Sequence, residues 1–362
     1  MKKKLLLCFV LATIMLVIAA CGNNGTSNSN TSGSTGTNNT SSDSNNAETT
    51  EPATDGDDKQ YKVAISQFVE HASLDAVRDG IITALKDGGI EEGKNLTIDY
   101  QNTQADFNNL TAVSQKIKSG KPDVAVGIAT PNAISLVDEI TDIPVVFAAV
   151  TDPIDSKLVP TLEASGSNVT GASDSNPDAI EPLMDFIAKE FPNVKKVGIV
   201  INKSEPNAVV MAETAKNRLA THNIGWEEAP IVNGSDVQQA AQSLVGRVDA
   251  IYITLDNTVV ESVDAILDVA YEHDIPFFSA DRDTVEKGAF ATLGFRYFDH
   301  GYEVGEMLLE ILKNGKNPGD MDVRKPEQLD FILNLKAAEE MGITVTDAMK
   351  AYVKDPTQNI LE

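Results

Sequence analysis

The stretch Asp123-Val-Ala-Val-Gly-Ile-Ala-Thr-Pro131 decides the fold. It is apolar from Val124 to Ala129 and closes on a hydroxyl residue and a proline. A continuous apolar run of this length, without alternation, marks a strand buried on both faces, as in a parallel sheet covered by helices. Thr130-Pro131 then reads as a helix start, with the hydroxyl at the N-cap and proline at the first helical position. Working outward, residues 61–68 read as a first strand. Leu74, Val77, Ile81 and Leu85 recur at helical spacing until Gly88-Gly89 stops them. Residues 96–100 read as a strand, residues 107–119 as a helix and residues 144–150 as a fourth strand.

The second half repeats this order. Residues 196–201 read as a strand, followed by a helix over 206–221 and a strand over 226–232. Ser235-Asp-Val-Gln238 has capping-box spacing and opens a helix. Residues 248–254 read as a strand, a helix runs to about 273, and residues 276–279 read as another strand. Ile143-Pro144 and Ile275-Pro276 enter corresponding strands. Strands that alternate with helices imply parallel sheets with right-handed crossovers. The fold class is therefore α/β, with two doubly wound, Rossmann-like lobes joined by a hinge. The turn-rich stretch 152–177 separates them. Later pieces, a strand over 289–295, a helix over 300–313 and a strand over 329–335, return to complete the lobes. The expected division is 61–170 plus 288–325 for the N-terminal lobe and 171–287 plus 326–362 for the C-terminal lobe.

The start of the chain reads as an address. Lys2, Lys3 and Lys4 precede an apolar run over residues 5–20, shorter than the about 20 residues of a membrane-spanning helix and in keeping with a signal peptide over 1–20. Ile18-Ala-Ala-Cys-Gly22 looks like a bacterial lipobox, which makes Cys21 the lipidated residue. Residues 21–60 are rich in Asn, Ser, Thr and Gly and nearly free of apolar side chains, so they read as a disordered tether. A Gly-rich coil of that length spans roughly 35 Å. The expected location is the extracytoplasmic face of a bacterial membrane, anchored through Cys21.

Composition narrows the function. Of 362 residues, 29 are Lys or Arg and 54 are Asp or Glu, a formal charge of −25, which argues against nucleic acid. The two cysteines, Cys8 and Cys21, exclude a disulfide framework and a Cys-based zinc site in the body. Gly88-Gly-Ile-Glu-Glu-Gly-Lys94 departs from a phosphate loop at Asn95 and lies between helix and strand, the wrong order. No H-E-x-x-H or G-x-S-x-G occurs. His222 and His273 fall near helix ends, where a cation complements the dipole. His71 alone of the histidines follows a strand.

Ligands of open α/β sheets bind beyond the carboxyl ends of the strands. The polar residues there are Glu70, His71 and Ser73; Thr130 and Pro131; Thr151 and Asp152; Ser204, Glu205 and Asn207; Asp256, Asn257 and Thr258; and Asp281. The start of the helix at Thr130 suits a carboxylate or phosphate, and Asp256 or Asp281 suits an ammonium. Each of these residue types also caps helices routinely, so the expectation attaches to the set. Phe68, Phe278, Phe295 and Tyr297 lie near strand ends and are candidates for an apolar wall, although such residues more often belong to the core. Trp226, the sole tryptophan, is expected at a strand start away from the cleft. No catalytic set, no metal site and no cofactor is expected.

Gln67-Phe-Val-Glu-His-Ala-Ser-Leu-Asp75, Ile128-Ala-Thr-Pro131, Val146-Phe-Ala-Ala-Val-Thr-Asp-Pro153, Asn168-Val-Thr-Gly171, Val194-Lys-Lys-Val-Gly198, Ser235-Asp-Val-Gln238 and Asp256-Asn257 together resemble the solute-binding lipoproteins of ABC importers, in particular the tryptophan- and tyrosine-binding group. The resemblance runs over about residues 61–335. It implies a type I periplasmic-binding-protein fold, a monomer, a small-molecule solute, an amino acid in the first instance and an aromatic one within that class, and an importer permease as partner. The alternatives are a sugar or nucleoside as ligand, a surface hydrolase using cleft carboxylates, and an adhesin whose cleft stays empty.

Overall fold

The computed structural model describes residues 59–362, apart from 176 and 327. The signal peptide, Cys21 and residues 21–58 of the tether lie outside the described residues. Among the described residues no helix is long and apolar enough to cross a membrane.

The first sheet is built from β1 (Tyr61–Gln67), β2 (Leu96–Asn102), β3 (Val124–Ile128), β4 (Val145–Val150) and β5 (Val169–Ser173), with α1 (Ala72–Asp87), α2 (Phe107–Gly120) and α3 (Thr130–Glu139) in the connections. Its strands run in the order β2-β1-β3-β4-β5, and each pairing is parallel. Every residue of β3 and β4 is buried, which is why their sequences carry no alternation.

The second lobe follows as α4 (Pro177–Glu190), β6 (Lys196–Asn202), α5 (Pro206–Thr221), β7 (Gly225–Ile231), α6 (Val237–Leu244), β8 (Ala250–Ile253), α7 (Asn257–Glu261), α8 (Asp264–Glu272), β9 (Phe277–Ser279), α9 (Arg282–Lys287) and β10 (Ala291–Gly294). The chain then runs through α10 (Tyr297–Asn314), β11 (Asp330–Asn334), α11 (Leu335–Glu340), α12 (Asp347–Lys350), α13 (Pro356–Asn359) and β12 (Ile360–Leu361). The second sheet has the order β12-β11-β10-β9-β8-β6-β7. It is parallel except where β11 runs antiparallel to β10.

Two boundaries differ from those read in the sequence. The strand at 291–294, expected in the first lobe, pairs with β9 and β11 in the second sheet. Residues 171–173, expected in the second lobe, belong to β5 of the first sheet. Both shifts have one cause. The chain leaves the first lobe after Ser173 and returns to it, as α10, only after Gly294. The capping box read at Ser235 is also displaced. Asn233 is the cap, its side chain accepting from the Ser235 amide, and Asp236 completes the box.

The lobes exchange chain at three places: between β5 and α4, between β10 and α10, and after Arg324 on the way to β11. At the last crossing Arg324 bridges to Ala172, with Ser173 N donating to Arg324 O at 2.8 Å and Arg324 N to Gly171 O at 2.9 Å. Such paired connections make a hinge. α10 lies against α1 in near-backbone contact. A Cβ on Gly301 would fall 2.0 Å from Val77 O, and one on Gly80 would fall 2.2 Å from Phe298 O.

The cores differ in kind. The second holds an aromatic cluster: Phe186, Phe278, Phe290, Phe331 and Tyr352 pack ring on ring around β10 and β11. The first is mainly aliphatic, with Phe68 set edge-on to Phe107. Phe68 and Phe278 are thus core residues, not cleft walls. Trp226 sits near the amino end of edge strand β7, its Nε1 donating to Glu228.

Candidate functional site

The order of each sheet reverses once: between β1 and β3 in the first, and between β6 and β8 in the second. The crevice at such a switch point is where ligands bind in open α/β folds. The residues that follow these four strands therefore define the site.

His71 sits at the N-cap of α1 in extended backbone, but its side chain caps nothing. Its Nε2 lies 3.3 Å from Asn257 Oδ1 on α7 of the other lobe. Two residues on, Ser73 Oγ donates to Asp281 Oδ2 at 2.8 Å, again across the lobes. A network fixes this turn of α1 from behind. Gln67 Nε2 donates to Asp75 at 2.8 Å, and Arg78 donates to Gln67, Asp75 and the Tyr100 hydroxyl.

At the end of β3 the N-cap is Ala129, not Thr130 as the sequence suggests. The Ala129 amide still donates to Ala148 O, which keeps it in the sheet. Its φ of 77° and ψ of 152° lie in a region costing a residue with a Cβ about 1–3 kcal/mol. Thr130 consequently begins the helix, and its Oγ1 is buried without a partner. The first-turn amides of α3 have no acceptor within the helix. Pro131 shapes this turn but offers no polar group. Ala149, at the end of β4, also has positive φ. Its amide donates to His300 Nε2 at 3.1 Å.

In the second lobe Glu205 is fully buried. It accepts from Asn257 N at 3.0 Å, Asn257 Nδ2 at 2.6 Å, Thr258 N at 2.9 Å, Thr258 Oγ1 at 2.7 Å and Asn207 Nδ2 at 3.4 Å. This carboxylate therefore orders the start of α7. Asp256 caps that helix at Val259 N and also accepts from Asn202 N at 2.6 Å. Both of its oxygens serve backbone amides, whereas Asp281 gives only Oδ1 to an amide, that of Asp283, and turns Oδ2 to Ser73 across the seam, so Asp281 is the better placed ammonium partner. Asp281 caps α9 and accepts from Thr284 Oγ1 and Ser73.

Four of the predicted residues stand apart. Glu70 is exposed and accepts from Tyr100 on the outer rim. Ser204 is exposed. Asp152 accepts from the Ile154 and Asp155 amides, which makes it a turn residue. Thr151 turns inward, but toward the hinge, donating to Asp174 Oδ1 at 3.3 Å. Asp174 was missed in the sequence. It also accepts from Tyr297 at 3.5 Å, and no strand was read before it because Gly171 dilutes the apolar character of β5.

The seam is acidic. Burial pushes Asp174 up to about 7. Burial, then the neighbouring Asp281, pushes Asp283 up to about 7, and Asp283 Oδ2 has no partner. Burial and then Glu205 hold Asp256 well above the ordinary carboxylate range. Arg282, the cation adjoining this group in sequence, points to Glu286, Asn359 and Gln358 instead. Burial lowers His300 to about 4.

Asp174 has a stability consequence. A carboxyl whose folded value exceeds its ordinary 3.8 favours the folded state when protonated. That contribution is complete below the ordinary value and is lost as pH rises through about 7. Asp174→Asn keeps a neutral side chain at every pH. Between pH 5 and 8 the wild type is expected to lose about 2–3 kcal/mol more than this variant. Urea melts at the two pH values measure the difference, and parallel losses would remove the assignment.

A narrow apolar recess of about 20 Å3 adjoins the seam, lined by Leu183, Met211, Tyr252, Leu255, Leu293 and Phe295. Leu255 precedes Asp256, and Ala280 in the same wall precedes Asp281. The Tyr252 hydroxyl is buried and without a partner. Phe295, half-buried against Tyr297 and His300, is the one predicted aromatic that lines this recess.

The family model for ABC transporter substrate binding proteins matches residues 62–356. The chain belongs to that family. A crystal structure of a conserved domain protein from Vibrio cholerae is 41% identical, with a TM-score of 0.79, over 84% of this chain and 100% of its own. A Streptococcus pneumoniae ABC domain solved in complex with L-Trp is 30% identical, with a TM-score of 0.77, over 82% of this chain and 99% of its own. A Clostridioides difficile protein named tyrosine-binding protein is 36% identical over 82% of this chain and 85% of its own length. The expected fold and family thus both hold: this is an ABC transporter substrate-binding protein with two α/β lobes.

Proposed function

We propose that this substrate-binding protein captures an amino acid with an aromatic side chain in the crevice between its lobes and delivers it to a membrane permease, without chemical turnover. One observation carries the reading. His71 and Ser73 of the first lobe meet Asn257 and Asp281 of the second across a seam where Asp283 Oδ2 and, at the start of α3, Thr130 Oγ1 are buried without partners. A zwitterion complements both. Its ammonium sits with Asp281 and Ser73, and its carboxylate with the first turn of α3 at Thr130. Burying either charge unpaired would be strongly unfavourable, so the pairing selects α-amino acids. The ligands named for two relatives support an aromatic side chain.

Cys21 is the proposed lipid attachment point, with residues 21–60 as the tether that lets a monomeric body work at the outer face of the membrane. Titration calorimetry against the twenty amino acids tests the ligand class. L-Tyrosine and L-tryptophan are expected to bind with one site each and to outcompete the aliphatic amino acids. Saturable binding of a sugar or nucleoside, with none by any amino acid, would overturn it.

A further inference from the structure

We infer that Glu205 fixes the tautomer of His71 through Asn257, so that His71 Nδ1 is a hydrogen-bond acceptor for an N–H of the captured solute. The inference rests on the crevice reading above and adds to it a specificity residue, His71, and a positioning residue, Glu205.

The chain of reasoning runs through three side chains. The Glu205 oxygens accept hydrogen bonds from five donors. The Asn257 amide atom 2.6 Å from Glu205 Oε2 must therefore be nitrogen. Its oxygen is then the atom that faces His71 Nε2 at 3.3 Å. An amide oxygen only accepts, so Nε2 carries the hydrogen. In a neutral imidazole the other nitrogen then holds a bare lone pair. That nitrogen, Nδ1, is buried and has no partner among the described residues.

The ring is held neutral against its surroundings. Burial lowers His71 below its ordinary 6.5, while Asp281, Asp75 and Glu205 pull the other way. A ligand ammonium, with three N–H groups, can give one to Asp281 and one to His71. A solute that presents only acceptors at this point leaves the Nδ1 lone pair unsatisfied and is disfavoured. Glu205 reaches the ligand only through Asn257, and so acts by orienting the ring.

Nitrogen NMR of the protein labelled with 15N-histidine tests this directly. There are four histidines, His71, His222, His273 and His300, and His71→Gln assigns the signal. The expected wild-type spectrum shows His71 protonated at Nε2 and bare at Nδ1, and L-tyrosine moves the Nδ1 signal upfield. In Glu205→Gln the new amide can donate, Asn257 is free to turn, and the tautomer is expected to change. Tyrosine affinity should then fall about tenfold. Wild-type affinity is expected to weaken as pH drops below the ordinary imidazole range, and His71→Gln to lose that dependence. Protonated Nδ1 in the wild type, or an Nδ1 signal unmoved by a tyrosine that binds, overturns the inference. If neither aromatic amino acid binds although Nε2 is protonated, the proposed ligand class falls and the tautomer lock stands. If Glu205→Gln does not fold, the wild-type spectrum decides alone.

Discussion

Asp281→Ala is expected to weaken L-tyrosine binding at least about 100-fold, near 3 kcal/mol. Asp281 is 1% exposed, and its Oδ2 already joins the lobes through Ser73 at 2.8 Å. Removing the carboxylate strips the proposed ammonium of its counter-charge in a place that water does not reach. It also deletes the bond that holds α1 against α9. Because Asp281 caps α9, the alanine variant should additionally lose about 1 kcal/mol of stability. Asp281→Asn separates these effects, since asparagine caps as well as aspartate but carries no charge. It should keep the wild-type melting point and still bind tyrosine at least about tenfold more weakly. Calorimetric titration of both variants gives the answer, and wild-type affinity in either would remove Asp281 from the site.

The second large effect is structural. Gly301→Ala is expected to destabilise the protein by about 3 kcal/mol, at the upper end for overpacking. The added methyl would stand 2.0 Å from Val77 O, a backbone atom of the facing helix that cannot swing aside. α1 and α10 would have to part, and with them the wall behind His71 and Ser73. A drop in melting temperature of order 10 °C follows for a domain of this size. Gly225→Ala is the control, since its Cβ would meet nothing closer than 3.5 Å. Equal melting points for the two variants would show that the helix contact is less tight than described.

What the sequence made legible, and what it hid, follows from how each feature is encoded. The run 123–131 has no polar residue between Asp123 and Thr130, so a doubly covered strand was visible at once, and with it the α/β fold. Sites that follow strands inherit that clarity: His71, Ser73, Glu205, Asn257 and Asp281 all converge at the seam. Lobe membership was harder. β10 is short, and its partners are β9 and β11, contacts set by tertiary packing with no local signature. Roles were harder still. Asp256 and Asp281 look alike in sequence, both following a strand and opening a helix, yet the first spends its oxygens on Asn202 and Val259 amides while the second meets Ser73. Thr130 loses its capping role to Ala129 because the helix begins one residue earlier than the sequence suggests, directly after the Ala129 amide makes its bond to the sheet. Asp174 was hidden behind a strand of five residues that contains a glycine.

The late arrival of α10 bears on how the molecule comes into being. By Ser173 the whole first sheet has been made, but the helix that covers α1 is Tyr297–Asn314. A nascent chain therefore leaves the glycine face of α1 bare until most of the polypeptide has emerged from the ribosome. It cannot lock prematurely into its final form. For a chain proposed to work on the outer face of a membrane, such a built-in delay would keep it pliable until nearly all of it has been made.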